Sequence, residues 1–189
     1  DPFPGFIESV PAYASLALFY DPFQVRINRA PHASAADFVE SIIRQRIRSL
    51  QAEEGSVHKN LVTIPVYYNG EDLEWIARQK NLTTEEVIAI HCARTYRVFM
   101  IGFLPGFAYM GAVDQRIAVP RHAALRTKVK AGSVGIAGSQ TGVYPLDSPG
   151  GWQLIGQTPL KLFNANKNPV CLLAPGDEVR FISISKEKF

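Results

Sequence analysis

The segment AGSVGIAGSQTGVYPLDSPGGWQLIG, residues 131–156, holds seven of the fourteen glycines of this 189-residue chain. Gly132, Gly135 and Gly138 are spaced by three, which matches neither the dinucleotide-binding nor the P-loop glycine spacing. The residues that follow, QTGVYP, are β-formers ending in a proline, so no helix is expected to begin there to receive a phosphate. Glycines at this density are typical of β-bulges, barrel corners and close backbone approach. The segment therefore predicts curved β-structure, whose bare backbone a small ligand could still approach.

The C-terminal half of the chain consists of short apolar runs separated by turn residues. From Tyr96 onward, runs such as RVFMIGF (97–103) and WQLIG (152–156) alternate with glycine and proline. This pattern predicts a closed β-barrel or a sandwich. Its onset divides the chain into predicted domains of residues 1–94 and 95–189.

Two segments of the N-terminal half have strand character. In VPAYASLALFYDP (10–22), alternate residues from Ala12 to Tyr20 fall on one face, which predicts a single strand. NLVTIPVYY (60–68) predicts a second strand, and Pro65 places it at a sheet edge or at the start of a strand.

Three segments of this half have helix character. SAADFVESIIRQRIRSLQAEE (34–54) predicts an amphipathic helix that Ser34 caps, with an aspartate three residues later. EDLEWIARQK (71–80) and TTEEVIAIHCAR (83–94) predict two short helices, the second with capping-box spacing. This pair could be a helix-turn-helix, a LysM-like carbohydrate-binding repeat or a helical insert between strands.

The composition is that of an ordinary globular protein, with 47% hydrophobic and 20% charged residues. No apolar run is long enough to cross a bilayer. Cys92 and Cys171 lie far apart and form no C-x-x-C motif, which indicates free thiols and a reducing, cytoplasmic location.

Basic residues are concentrated in the middle of the chain. Residues 93–163 contain eight lysines and arginines against two acidic residues, a net charge of +6, whereas the whole chain carries +3. This excess favours an anionic ligand, which could be a carboxylate, a phosphate or nucleic acid. Alternatively, the charges protect strand edges from aggregation.

Standard catalytic motifs are absent from the sequence. No serine lies in G-x-S-x-G, the four histidines of the chain have no metal-ligand spacing, and Asp114 and Asp147 are the only acids of the basic segment. It offers cations and neutral polar groups instead, which can bind and polarise an anion or an amide but are poorly suited to hydrolysis alone. These are the alternating Arg126, Lys128 and Lys130, with Gln140, Thr141 and Tyr144.

Three long phrases carry a resemblance to a known family. GFLPGFAYMG (102–111), PRHAALRTKVKAGSVGIAGSQTGVYP (120–145) and SPGGWQLIGQTPLKLF (148–163) resemble the 5-oxoprolinase B-subunit family, also called KipI-like or allophanate hydrolase subunit 1. The resemblance covers nearly the whole chain. It implies an α+β fold in which a small N-terminal α+β domain precedes a cyclophilin-like β-barrel.

The family resemblance also implies a further strand and helix before PGFIESVPAY, which begins at Pro4, so the chain is expected to be N-terminally truncated. Without them, the small domain is expected to expose apolar surface and a sheet edge, which favours association.

The resemblance implies a non-autonomous enzyme subunit of the hydrolase class. Together with a homologous C subunit and an A subunit as partners, family members hydrolyse 5-oxo-L-proline to L-glutamate. The B and C subunits activate the lactam by phosphorylation from ATP, with Mg, at the level of the complex. A rival branch, KipI itself, inhibits a sporulation histidine kinase without catalysis. A urea carboxylase-like role and nucleic-acid binding by the basic segment are further alternatives.

Matching the family's motifs to this sequence gives the candidate site residues. The catalytic candidates are Arg126, Gln140 and Tyr144, and no metal ligand is expected. Lys130 departs from the pattern, because many members have proline there, and this weakens the case for the RTKVK face. The substrate-binding candidates are Pro105, Gly106, Phe107, Arg121, Ser133, Thr141, Gly150, Gly151 and Trp152.

Overall fold

The computed structural model describes residues 3–27, 34–50 and 60–189. The chain divides into two compact units, residues 1–57 and 58–189. The boundary predicted between residues 94 and 95 lies inside the second unit, and as a division between family domains it stays a prediction. No helix within the described ranges is both long and apolar enough to cross a membrane.

The first unit begins with a β-hairpin. Strands β1 (Phe6–Pro11) and β2 (Leu16–Tyr20) pair antiparallel. The single strand expected from Ala12 to Tyr20 is therefore wrong in its first part. The Ala12 N–H donates to the Ser15 carbonyl at 2.8 Å, and this local hydrogen bond closes the turn that the alternating pattern did not reveal.

Two helices, α1 (Pro22–Ile27) and α2 (Ala35–Leu50), complete the described part of this unit. The predicted cap of α2 is confirmed, because the Ser34 hydroxyl accepts from the Asp37 N–H at 3.1 Å while the Asp37 carboxylate accepts from the Ser34 N–H at 3.0 Å. The last predicted helical residues, 51–54, lie outside the described ones.

Apolar surface is exposed in the first unit, as expected. Large side chains that face solvent include Ile7, Phe19 and Phe23. Within the described residues, β2 has β1 as its only strand neighbour. Both outer edges of this two-stranded hairpin are therefore unpaired there.

The second unit is built on a seven-stranded, nearly closed sheet and a separate two-stranded ribbon. The strands are β3 (Leu61–Val66), β4 (Thr95–Ile101), β5 (Ala108–Gly111), β6 (Arg126–Val129), β7 (Ser133–Ala137), β8 (Gln140–Val143), β9 (Ser148–Gly150), β10 (Gln153–Gln157) and β11 (Glu178–Ser183). The strand order of the sheet is β10-β7-β8-β5-β4-β11-β3, so β3 lies at the edge, as Pro65 predicted, and β6 and β9 form the ribbon. A bridge between Tyr67 and Gln157, with hydrogen bonds of 2.8 and 2.9 Å, joins the two terminal strands of the sheet.

This architecture confirms the mixed α+β class with a barrel. The glycine-rich segment runs through β7, β8, β9 and β10, and none of its residues is helical. Gly156 shows why glycine is needed, because a Cβ there would stand 2.6 Å from the Tyr67 carbonyl oxygen at the barrel closure. A side chain at that position would push the two terminal strands apart.

Helices α3 (Leu73–Lys80) and α4 (Thr84–Cys92) lie between β3 and β4 and pack against β10 and β11, which is the helical-insert arrangement. Thr83 and Glu86 form the predicted capping box. Asp72 precedes α3 but makes no capping hydrogen bond, which leaves its carboxylate for other partners. A short 3-10 helix, Lys186–Lys188, follows β11.

Candidate functional site

An aromatic cavity of about 280 Å³ opens in the second unit beside the β6–β9 ribbon. It unites six of the twelve predicted site residues, which come from three separate parts of the sequence. These are Phe107, Arg121, Tyr144, Gly150, Gly151 and Trp152.

Aromatic rings form the wall of this cavity. The distance from the centre of the Phe107 ring to the ring centre is 4.8 Å for Tyr109, 5.3 Å for both Tyr144 and Trp152, and 5.6 Å for Phe103. All four contacts are edge to face. Such pairs stabilise one another beyond the burial of their area. Phe107 is only 1% exposed, so the ring at the centre of this wall is held in place by its neighbours.

Arg121 supplies the positive charge of the cavity. Its guanidinium lies 5.8 Å from the centre of the Trp152 ring, a cation–π distance. No carboxylate in the described part of the chain pairs with it. The cavity therefore presents a cation that is held in place by an aromatic face and open to an anionic ligand.

Two phenol groups face the same space. Burial raises the pKa of Tyr109 and of Tyr144 above the ordinary value, with Arg121 acting in the opposite direction on both. Both hydroxyls are therefore neutral near pH 7 and can donate a hydrogen bond to a ligand oxygen.

Glycines and a strained loop shape the cavity. A Cβ at Gly150 would overlap the Tyr144 hydroxyl, and one at Gly151 would stand 2.8 Å from a Leu125 methyl group. Phe103 has a φ of 70°, which is rare for a bulky residue, and its side chain is 61% exposed. Strain of this kind is concentrated at ligand-binding positions.

Arg126 is not a cavity residue, because protein groups already occupy its guanidinium. Nη2 lies 2.7 Å from both Asp72 carboxylate oxygens, Nε lies 2.7 Å from Glu71 Oε1, and Nη1 donates to the Trp152 carbonyl at 3.0 Å. Asp72 also accepts from the Leu154 N–H at 2.6 Å and lies 3.1 Å from the His122 ring. The arginine thus ties α3 to the strand segment that carries Trp152.

The remaining predicted residues lie elsewhere in the same unit. Thr141 is a core residue that donates to the Gly135 carbonyl at 3.0 Å and contacts the fully buried His91. Gln140 is half-buried at the start of β8, and Ser133 lines a different cleft. Pro105 and Gly106 form the turn that leads into Phe107, and Gly106 has a φ of 81°.

The sequence reasoning missed four residues of the cavity. Phe103 and Tyr109 lie four positions before and two positions after Phe107 within the phrase GFLPGFAYMG, so their alternation was a usable signal. Leu125 and Pro149 carried no such signal. No three His, Cys, Asp or Glu side chains converge on a metal position within the described ranges, which exclude His32 and His58.

Comparison with known proteins relates the chain to one family. The profile of the carboxyltransferase domain, subdomain C and D, matches residues 1–173. The 5-oxoprolinase B subunit of Bacillus subtilis (strain 168) is 48% identical, with 100% of this chain and 80% of the relative covered. The 5-oxoprolinase B subunit of Escherichia coli O157:H7 is 40% identical, with 95% and 78% covered.

Solved structures show the same fold. TTHA0988 is 37% identical to this chain, with a TM-score of 0.71. The match covers 96% of this chain and 33% of TTHA0988, so this chain spans about a third of that protein. PH0987 from Pyrococcus horikoshii is 41% identical with a TM-score of 0.66, and 97% of this chain covers 81% of it. The urea amidolyase of K. lactis matches 97% of this chain over 12% of its own length, with a TM-score of 0.71. Because the identity is 17%, this match shows a shared fold alone.

Proposed function

The chain belongs to the carboxyltransferase domain, subdomain C and D, family, and on this basis we propose that it is the B subunit of an ATP-dependent 5-oxoprolinase. It would act with a C subunit and an A subunit to convert 5-oxo-L-proline to L-glutamate. The names of the relatives support the assignment to such a complex.

The aromatic cavity, with its unpaired guanidinium, is the observation that carries the proposal. At about 280 Å³ it lies at the small end of ligand pockets, which suits a single small ring. The substrate has an apolar ring face, a carboxylate and a lactam oxygen. The cavity offers a partner for each, which are aromatic rings, a cation and two neutral phenols.

We assign Arg121 to the substrate carboxylate and the Tyr109 and Tyr144 hydroxyls to orientation of the lactam. Phe107 and Trp152 would hold the ring and exclude water. ATP would transfer its terminal phosphoryl group to the lactam oxygen and leave as ADP. Water could then attack the ring carbon, with loss of phosphate and opening of the carbon–nitrogen bond.

This chain's residues bind and orient in this scheme, and the partner subunits complete the site. The cavity contains a cation, phenols and aromatic rings, which stabilise charge in place but supply no strong base. Mg²⁺ would enter with the nucleotide, since the described residues offer no ligand set to which it could be assigned.

The test is ATP-dependent release of glutamate by the reconstituted complex of all three subunits. Arg121→Leu should lower kcat/KM by about a hundredfold or more, because a charge-assisted contact to substrate typically contributes a few kcal/mol. The control is Arg180→Leu, which removes an exposed arginine of β11 outside the aromatic cavity and should stay within about twofold of the parent.

Two results would contradict the proposal. Full turnover by this chain alone would show that the partners are not needed, and an Arg121→Leu complex as active as the parent would remove the cavity from the reaction. If no combination of subunits turns over 5-oxoproline but the chain blocks histidine-kinase autophosphorylation, the kinase-inhibitor function replaces this one.

A further inference from the structure

A second cleft of about 330 Å³ lies in the same unit and shares no residue with the aromatic cavity. We call it the lysine cleft. Its polar side chains come from the segment after β3, from the end of β6 and from one end of the β7–β10 pair, where Ser133 lies opposite Gln157. They are Asn69, Glu71, Lys128, Lys130, Ser133 and Gln157.

The charges around the lysine cleft leave one cation unmatched. Lys128 Nζ lies 3.1 Å from Asp147 Oδ2, and Glu71 is paired with Arg126 at 2.7 Å. Lys130 is exposed, and no carboxylate of the described residues pairs with it. The hydrogen bond from the Ala131 N–H is the main cause that lowers the pKa of Asp147, and the nearby Lys128 and Lys130 lower this pKa further.

Neutral hydrogen-bonding groups line the cleft without partners of their own. Ser133 is a largely buried residue that borders the cleft, and its hydroxyl makes no hydrogen bond to any described residue. The side-chain amides of Asn69 and Gln157 also have no hydrogen-bond partner in that part of the chain.

The floor of the cleft is rigid backbone. A Cβ at Gly156 would stand 2.6 Å from the Tyr67 carbonyl oxygen, and one at Gly70 would overlap the backbone of Leu154 and Ile155. These contacts belong to the barrel closure, so the floor does not depend on mobile loops. Donors therefore surround a space whose depth is fixed.

We propose that the lysine cleft binds a phosphate-bearing anion. The unmatched ammonium group of Lys130, the Ser133 hydroxyl and two side-chain amides match the acceptor oxygens of a phosphate, for which lysine acts as a point charge. Lys128 adds a second ammonium group, which is paired with Asp147. The group could belong to free inorganic phosphate or to a nucleotide. This proposal does not rest on 5-oxoprolinase activity, because the cleft is separate from the aromatic cavity.

Titration calorimetry on the chain alone, with inorganic phosphate and with ATP as separate probes, tests the proposal. Lys130→Ala should weaken saturable binding by about fivefold or more. Asp147→Asn should tighten it by about threefold or more, because it frees Lys128 while an amide oxygen remains to accept from the Ala131 N–H. The control Lys186→Ala removes an exposed lysine outside the cleft and should leave the affinity unchanged.

The two probes distinguish the source of the phosphate. Competition of inorganic phosphate with ATP for one site, with ATP the tighter ligand, indicates a nucleotide, and tighter binding of inorganic phosphate indicates the free anion. Absence of saturable binding for both probes would overturn the proposal. So would an affinity that neither Lys130→Ala nor Asp147→Asn changes. Loss of glutamate release in the reconstituted complex bears on the proposed function alone, since this binding is measured without the other subunits.

Discussion

Replacement of Arg126 by alanine should strongly destabilise the second unit. Asp72 is 7% exposed and places two carboxylate oxygens 2.7 Å from Arg126 Nη2. Without the guanidinium, the His122 ring and the Leu154 N–H remain as its neighbours, and neither supplies a fixed charge. The variant would bury a carboxylate that no cation compensates.

The size of the effect follows from this burial. Removal of one partner from a buried ion pair typically costs about 3–5 kcal/mol, a large share of the stability of a domain. With a urea dependence of about 2 kcal/mol per molar, the unfolding midpoint should fall by roughly 2 M. Urea unfolding followed by circular dichroism measures this shift directly.

Two further variants isolate the cause. Asp72→Asn in the Arg126→Ala background should recover about 1–3 kcal/mol, because the uncompensated charge is then absent. Arg44→Ala breaks an exposed pair with Glu40, in which both side chains are more than half exposed, and should shift the midpoint far less.

This experiment also separates two roles for Arg126. A catalytic role, as the motif match suggested, predicts lost turnover with unchanged folding. The observed contacts predict lost stability, with turnover falling in step with the folded fraction. An Arg126→Ala protein with an unchanged urea midpoint, or no recovery by Asp72→Asn, would refute the structural reasoning.

Two other predictions concern the barrel. Gly156→Ala should lower the thermal unfolding midpoint by several degrees, because the new Cβ would meet the Tyr67 carbonyl oxygen at the barrel closure. The control is Gly138→Ala, whose Cβ would meet no atom within 4 Å. Its cost is limited to backbone strain at a φ of 61°. Equal losses for both variants would contradict the closure argument. Burial lowers the pKa of His91 to about 3, so the unfolded chain binds a proton that the folded chain does not as the pH falls below about 6.5. The free energy of unfolding should therefore decrease as the pH falls from about 6.5 to about 3. In urea titrations at several pH values, His91→Gln should reduce the slope of this free energy against pH by the contribution of about one proton. An unchanged slope would contradict the prediction.

Local features of the sequence predicted much of the secondary structure. The Ser34–Asp37 and Thr83–Glu86 caps each link residues three positions apart, so their spacing alone predicted where α2 and α4 begin. Pro65 predicted the edge position of β3 because it lacks an N–H to donate. The turn within residues 12–15 escaped detection, because Ala12 and Ala14 continue the alternation that leads to Tyr20.

The candidate site was only half predictable. The motif phrases contain all ten residues of the aromatic cavity, of which six were predicted, but they gave no means of ranking Arg121 against Arg126, five positions later in one phrase. The buried acidic partner of Arg126, Asp72, lies 54 positions away in the sequence. Spacing within a phrase cannot report a contact at that separation.

By itself, the sequence determined the α+β class, the β character of the glycine-rich segment and the family. The β character depends on local backbone preferences and on the side-chain periods of helix and strand, which neighbouring residues determine. The family, and the α+β class that it implies, came from the resemblance of three long phrases. Only the tertiary structure decided that Tyr67 and Gln157 close the barrel, that Arg126 neutralises Asp72 and that Arg121 remains open over Trp152. Each of these joins distant segments, and which partner a charge or a strand edge meets depends on how the whole sheet folds.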